Sequence, residues 1–271
     1  MPGRLAGILC GLLLLGLGCP PARAATGGDG AALARQIHDR PAGRDMVSRA
    51  LMLLSDRHAQ HVRRRLFYTY RIDRGGGVRR TLVRFLSPAE VRDTGLLSLS
   101  RPGGRVEQWL YLPALGRVRR IASSRRGGRF AGSDLYYEDL QDRDPDQDVH
   151  RLAGRGKVGG IACDILVSTP RDPGASVYTK RVSWILRRAL VPLRVDYYRK
   201  GRRGPVKRYL VHRLRRIHGY WTVLDSTMTN LRTGHRTRVL VQAVRYDQGL
   251  PETLFTRRGL ADPALEVPYR P

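Results

Sequence analysis

Between residues 61 and 246 the chain alternates apolar and polar positions with a period of two. Leu66, Tyr68, Tyr70 and Ile72 fall on one face of a strand. Three glycines within 73–77 break the run, and Thr81, Val83 and Phe85 then share a face of the next strand, which is the pattern of a hairpin. The same alternation predicts strands at 95–100, 106–112, 117–122, 149–153, 161–169, 178–186, 193–200, 206–214, 221–231 and 236–246. Gly- or Pro-containing turns are predicted at 101–104, 113–116, 154–160, 201–204 and 233–234. Connections this short join antiparallel neighbours, because a parallel pair needs a long crossover. Helical spacing is sparse. Residues 31–39 predict a short helix with Leu33 and Ile37 on one face, and 46–54 fits a helix or a strand equally.

A single sheet of about ten strands has to curl or split. One face can be solvated, while the other needs an apolar cover that the few short helices supply only in part. The expected result is a curved sheet with an under-filled concave face, open to an apolar ligand. The strand faces predicted to line it carry Tyr178, Val182, Trp184 and Leu186, then Leu193, Val195 and Tyr197, with Val83, Phe85, Leu224 and Met228 completing the set. Tyrosine and tryptophan suit such a lining, each having an apolar body and a polar tip. The competing reading is that these side chains simply pack the core. Arg181, Arg187, Arg194 and Asp196 lie on the alternate positions and are expected in water.

The amino terminus reads as an export signal. Arg4 precedes an apolar run over 5–18, Pro20 and Pro21 end it, and Ala22-Arg23-Ala24 is an A-x-A cleavage pattern that places the mature start at Ala25. The run is shorter than the ~20 residues a membrane-spanning helix needs. A lipid anchor on Cys19 is the less favoured alternative, since Gly16, Leu17 and Gly18 before it and Pro20 after it fit a lipoprotein signal poorly. The expected organisation is a signal over 1–24 and one β-rich domain over 25–271, delivered to the periplasm. Cleavage leaves Cys163 without a disulfide partner. Its apolar, β-branched neighbours predict a buried, inert thiol.

Charge adds a further constraint. Fifty Lys and Arg against 23 Asp and Glu give a net charge of +27. This favours an anionic partner such as a lipid head group, or it reflects an arginine-rich solvated surface. Export makes nucleic acid a poor partner. The alternating Asp142, Asp144, Asp146 and Asp148 lack the glycine and glutamate of an EF-hand loop and predict a solvated acidic loop. The glycines and lysine at 154–160 lack the P-loop spacing and predict a turn. His58 and His61 lie near Asp56 but have no evident third ligand, and Arg57, Arg63, Arg64 and Arg65 would repel a cation. No Gly-x-Ser-x-Gly elbow occurs, and the seven histidines form no triad pattern. The residues thus predict no metal, no cofactor and no catalytic group.

Two stretches carry a family resemblance. One is Arg84-Phe-Leu-Ser-Pro-Ala-Glu-Val-Arg-Asp-Thr-Gly95. The other runs from Gln108-Trp-Leu-Tyr-Leu-Pro through Ile121 to Phe130-Ala-Gly-Ser-Asp-Leu-Tyr-Tyr-Glu-Asp-Leu140. With the tail segments 228–237 and 254–260, they resemble the LolA-like outer-membrane lipoprotein-sorting family, periplasmic proteins often associated with RND-type exporters. The resemblance implies an α+β, mainly antiparallel fold: a curved half-barrel sheet with a few short helices covering its concave face, and a strand rather than a helix at 46–54. It implies carriage of lipid or lipoprotein acyl chains, without catalysis. Surface arginines would meet anionic head groups, and an inner-membrane RND-type exporter is the implied partner. The alternative function is a non-carrier accessory subunit of such an exporter, and a periplasmic hydrolase ranks third. The arginine excess departs from what the family leads one to expect.

Overall fold

The computed structural model describes residues 27–101, 103 and 105–271. The segment 1–24 expected to be an export signal, with Cys10 and Cys19, lies outside the described residues. Thirteen strands follow in chain order: β1 Asp45–Ser55, β2 Val62–Asp73, β3 Arg79–Ser87, β4 Gly95–Arg101, β5 Arg105–Leu112, β6 Arg117–Arg120, β7 Asp148–Val158, β8 Ile161–Pro170, β9 Lys180–Leu186, β10 Val191–Tyr198, β11 Lys207–Ile217, β12 Tyr220–Asn230 and β13 Arg236–Tyr246. Helix α1 spans Gly27–His38 and α2 spans Arg257–Ala261. All thirteen strands form one antiparallel sheet in the order β6-β5-β4-β3-β2-β1-β13-β12-β11-β10-β9-β8-β7. Hairpin succession builds each half, and the pairing of β1 with β13 joins them.

β1 is the segment whose pattern fitted helix and strand alike. It buries both faces: Val47 packs on one side, and Ala50, Met52 and Leu54 on the other, across a register shift at Arg49/Ala50. Two-sided burial erases the period-two signal. The turn predicted over 154–160 is narrower than expected. β7 runs to Val158, and Gly159 and Gly160 alone make the turn at φ +53° and +80°, as a two-residue hairpin loop of right-handed twist requires. Gly154 (φ +108°) instead sits in the bulge between Leu152 and Arg155.

Both faces of the sheet are covered over the β1–β5 half. On one, the segment after β6 lays Phe130 onto Met52, Phe67, Val83, Phe85 and Leu96. On the other, the carboxy-terminal segment lays Leu250, Leu254, Phe255 and Leu260 onto Val47, Tyr70, Ile72, Leu82 and Leu97. Each fully buried side chain of this size contributes about 1.5–3 kcal/mol. α1 covers the far end of the sheet, packing Leu33 and Ala34 against Leu166 and Ile185. Its approach to β7 is close at Gly30, where an added Cβ would lie 2.7 Å from the His150 carbonyl oxygen. The short β6 carries exposed arginines at a sheet edge, which disfavours pairing with another chain.

The sheet curls. β3 and β8 are eight places apart in its order, a separation of about 38 Å if the sheet were flat. Yet Arg79 and Thr81 of β3 and Leu166 and Ser168 of β8 line a single cavity.

Candidate functional site

The cavity occupies about 480 Å³ on the concave side. That is within the roughly 300–1,000 Å³ usual for ligand pockets. α1 contributes Ala34, Ile37 and His38, and the turn after it contributes Arg40 and Ala42. The opposite wall comes from Arg71 of β2 and Arg79 of β3, and the floor from β7, β8 and β9. The acidic run forms one rim. It is the solvated loop expected only in part: Asp146 is exposed, though bonded by Arg35 Nη2 at 2.7 Å, whereas Asp142 is half-buried and bonded by Arg79 Nη1 at 3.1 Å. Asp148 is buried and bonded by Arg143 at 2.9 Å and by Arg181. Four alternating carboxylates survive next to one another because three reach arginines, while Asp144 caps the turn at Asp146 N.

Those pairings set the electrostatics. Burial works against the Arg79 charge, but Asp142 and Asp73 hold its pKa above the usual value. His38 is pushed up by its hydrogen bond to Asp142, against burial. Burial also opposes ionisation of Asp142, yet His38 and Arg79 hold its carboxyl below the usual carboxylate range. His150 is pushed down by burial. Its Nε2–H donates to the Pro145 carbonyl at 2.8 Å, which leaves Nδ1 to accept from Ser168 Oγ at 2.9 Å. Arg40 and Arg71 are placed differently. Arg40 donates to the Trp221 carbonyl at 3.2 Å, and Arg71 donates to the Ala42 carbonyl. Burial pushes both below the usual arginine value, and the Arg40 charge adds to this at Arg71.

Beside the cavity a second polar cluster locks its rim. Lys207, 1% exposed, donates to the Asp134 carbonyl at 2.9 Å and to Asp139. Its ammonium lies 3.6 Å from the centre of the Tyr136 ring, with Tyr178 and Tyr197 beyond. Tyr178 Oη donates to Asp139 at 2.7 Å.

None of the eleven residues named from strand alternation lines this cavity. Val83 and Phe85 lie together beneath Phe130. Tyr178 and Tyr197 meet at 4.8 Å beside Lys207. Trp184, Leu186 and Leu193 pack with Cys163, Ala189 and Val191 in a separate cluster. Val195 and Met228 are buried, and Val182 and Leu224 are half-buried. The face of β9 turned to the cavity carries Arg181, Ser183 and Ile185. Val182 and Trp184 alternate with these and face outward, where the Arg194 guanidinium lies 4.1 Å from the Trp184 ring. Of the four residues expected in water, Arg187 is exposed, but Arg181 lines the cavity and Asp196 is buried. Asp196 is clasped by Arg194 at 3.1 Å and Arg208 at 2.7 Å. Cys163 is buried, and burial pushes its thiol pKa up.

The residues that alternation missed are the cavity arginines. In β2, assigning Tyr68, Tyr70 and Ile72 to the core sends Arg71 to the other face, which is solvent in a one-layer reading but interior here. The available signal was the acidic run itself, a block of carboxylates in an arginine-rich chain. Among the described residues no group of three or more His, Cys, Asp or Glu is placed to hold a metal ion. None of their helices is long and apolar enough to cross a membrane.

Comparison with known proteins fits this architecture. A family profile described as "Uncharacterized protein" matches residues 77–262. A Vibrio parahaemolyticus domain named for outer membrane lipoprotein sorting is 30% identical, with TM-score 0.81 over 88% of this chain and 100% of that one. A DUF1329 family protein from Desulfovibrio piger is 33% identical, with TM-score 0.80 over 86% of this chain and 98% of that one. A LolA superfamily protein from Nitrosomonas europaea, 16% identical with TM-score 0.64 over 87% of this chain and 100% of that one, shares the fold. No curated protein matches the chain. The chain belongs to the family of the Vibrio lipoprotein-sorting domain and the Desulfovibrio DUF1329 protein, and it has a LolA-like fold.

Proposed function

We propose that the protein is a periplasmic carrier of a lipid or lipoprotein, taking part of its cargo into the concave cavity, and that it works by binding rather than catalysis. The observation that carries this reading is the cavity itself, a partly enclosed space between α1, the acidic rim and a curled LolA-like sheet. Ala34, Ile37, Leu140, Leu166, Ile185 and Pro192 give it an apolar side suited to an acyl chain. Each methylene buried there is worth ~0.8 kcal/mol. A chain longer than the cavity would reach Val83 and Phe85 by lifting Phe130 from them, which keeps the strand-face residues in the reading as a deeper lining.

Delipidated protein is expected to bind a fluorescent fatty acid, and Ile37→Asp, a half-buried position on the wall, is expected to weaken binding about tenfold or more while the thermal midpoint stays near wild type. Absence of binding to any acyl probe, together with a stable complex with an envelope exporter, would replace the carrier by the accessory-subunit reading. Export is part of the proposal: amino-terminal sequencing of protein from the periplasm is expected to begin at Ala25, and a lipidated Cys19 would overturn the cleavage site.

A further inference from the structure

The cavity holds more positive charge than its own carboxylates answer. Its lining includes Arg40, Arg71, Arg79, Arg143 and Arg181 against Asp139, Asp142 and Asp148. Each of the three carboxylates is already engaged. Asp139 holds Lys207, Asp142 holds Arg79 and His38, and Asp148 holds Arg143 and Arg181. Arg40 and Arg71 remain, and their side chains donate to backbone carbonyls, those of Trp221 and Ala42. Arg71 Nε is buried and has no hydrogen-bond partner.

A guanidinium does not give up its proton under these conditions. The downward push on both arginines therefore records charge that is poorly compensated, not a neutral side chain. Keeping two such groups in one partly enclosed space is unfavourable unless something negative joins them. Planar arginine forks match the oxygens of a phosphate or carboxylate, and two of them lining one cavity favour such a group over a neutral one. The aliphatic side of the same cavity, at Ala34, Ile37, Leu166 and Ile185, lies within one enclosure with them. The geometry points to Arg40 and Arg71 as the receptor for an oxyanion, the phosphate or carboxylate head of an amphiphile whose apolar part lies against α1 and β8–β9. This rests on the carrier reading for the apolar part alone. It moves head-group recognition from the outer surface, where the arginine excess first suggested it, to the interior.

The test is calorimetric titration of the delipidated full-length mature protein with three probes. They are lysophosphatidic acid, an uncharged monoacylglycerol of the same chain, and inorganic phosphate. Wild type is expected to prefer lysophosphatidic acid over monoacylglycerol by about tenfold or more. Arg40→Gln with Arg71→Gln is expected to abolish the preference while leaving monoacylglycerol affinity within about twofold. If the double variant does not fold, the single Arg40→Gln variant, which is less enclosed, should reduce the preference in the same direction. Inorganic phosphate binding that these variants remove, with no acyl probe bound, would support the anion site with a free oxyanion as its source and would end the carrier reading. Equal wild-type affinity for the charged and uncharged lipids with no phosphate binding, or a preference that survives both folded variants, would overturn the inference.

Discussion

Arg84 Nε donates to Glu266 Oε1 at 2.8 Å, and both side chains are fully buried. The same guanidinium donates through Nη1 to the Asp93 carbonyl and through Nη2 to the Leu260 carbonyl, each at 2.7 Å. One arginine thereby ties β3, the loop before β4 and the carboxy-terminal segment that covers the outer core. Arg84→Met is expected to cost about 3–5 kcal/mol, because Glu266 would stay buried without its counter-charge. Urea denaturation checks the magnitude. Limited proteolysis should show early cleavage after Leu250, whereas loss of stability with the tail still protected would disprove the tie.

Lys207 does the corresponding work for the cavity rim. Burial pushes its pKa down, while Asp139 holds the charge in place. Lys207→Met should also cost about 3–5 kcal/mol by stranding Asp139. Hydrogen exchange is expected to rise first over Tyr137–Leu140, the turn that the lysine fastens. Uniform loss of protection across the sheet would mean that the lysine supports the whole core instead.

Two cavity histidines predict opposite pH dependences. His38 has a folded-state pKa above 6.5, so its contribution is complete below 6.5 and is lost as pH rises through the folded value. His150 has a folded-state pKa below 6.5, so its contribution is complete above 6.5 and is lost as pH falls through the folded value. Thermal midpoints measured from about pH 5 to about pH 8.5 should show His38→Gln flattening the alkaline side and His150→Gln flattening the acid side. The same change on both sides from either variant would contradict these assignments.

Cys163 packs against Leu186 and Val191 and has its thiol pKa raised by burial. A thiol reagent should therefore label it slowly in native protein and rapidly in denaturant, as mass spectrometry of its peptide would record. Fast native labelling would show that β8 opens locally near its start.

The sequence by itself determined most of the local structure: that the sheet is antiparallel, most of its strands and most of its hairpin turns, with β1 left open between helix and strand and the end of β7 read as turn. Those features rest on alternation and turn chemistry over a few residues. Leu66 to Phe85 reads as a hairpin whatever surrounds it, and β2 and β3 form there. Alternation also divides each strand into two faces, but it does not say which face is interior. In β9 the face with Arg181 and Ser183 is turned to the cavity, and the face with Trp184 is turned away. That choice belongs to the tertiary structure. It depends on curling that brings β3 and β8 to one cavity, and on covers laid over both faces of the β1–β5 half. The ion pairs are equally non-local: Arg79 meets Asp142 across 63 positions and Arg35 meets Asp146 across 111. A charged residue is stable inside only where the fold delivers its partner, so chain-local reading sends such arginines to water. The curled sheet instead takes a few of them inside with their partners, Arg84 with Glu266 and Arg143 with Asp148, and leaves Arg40 and Arg71 lining the cavity.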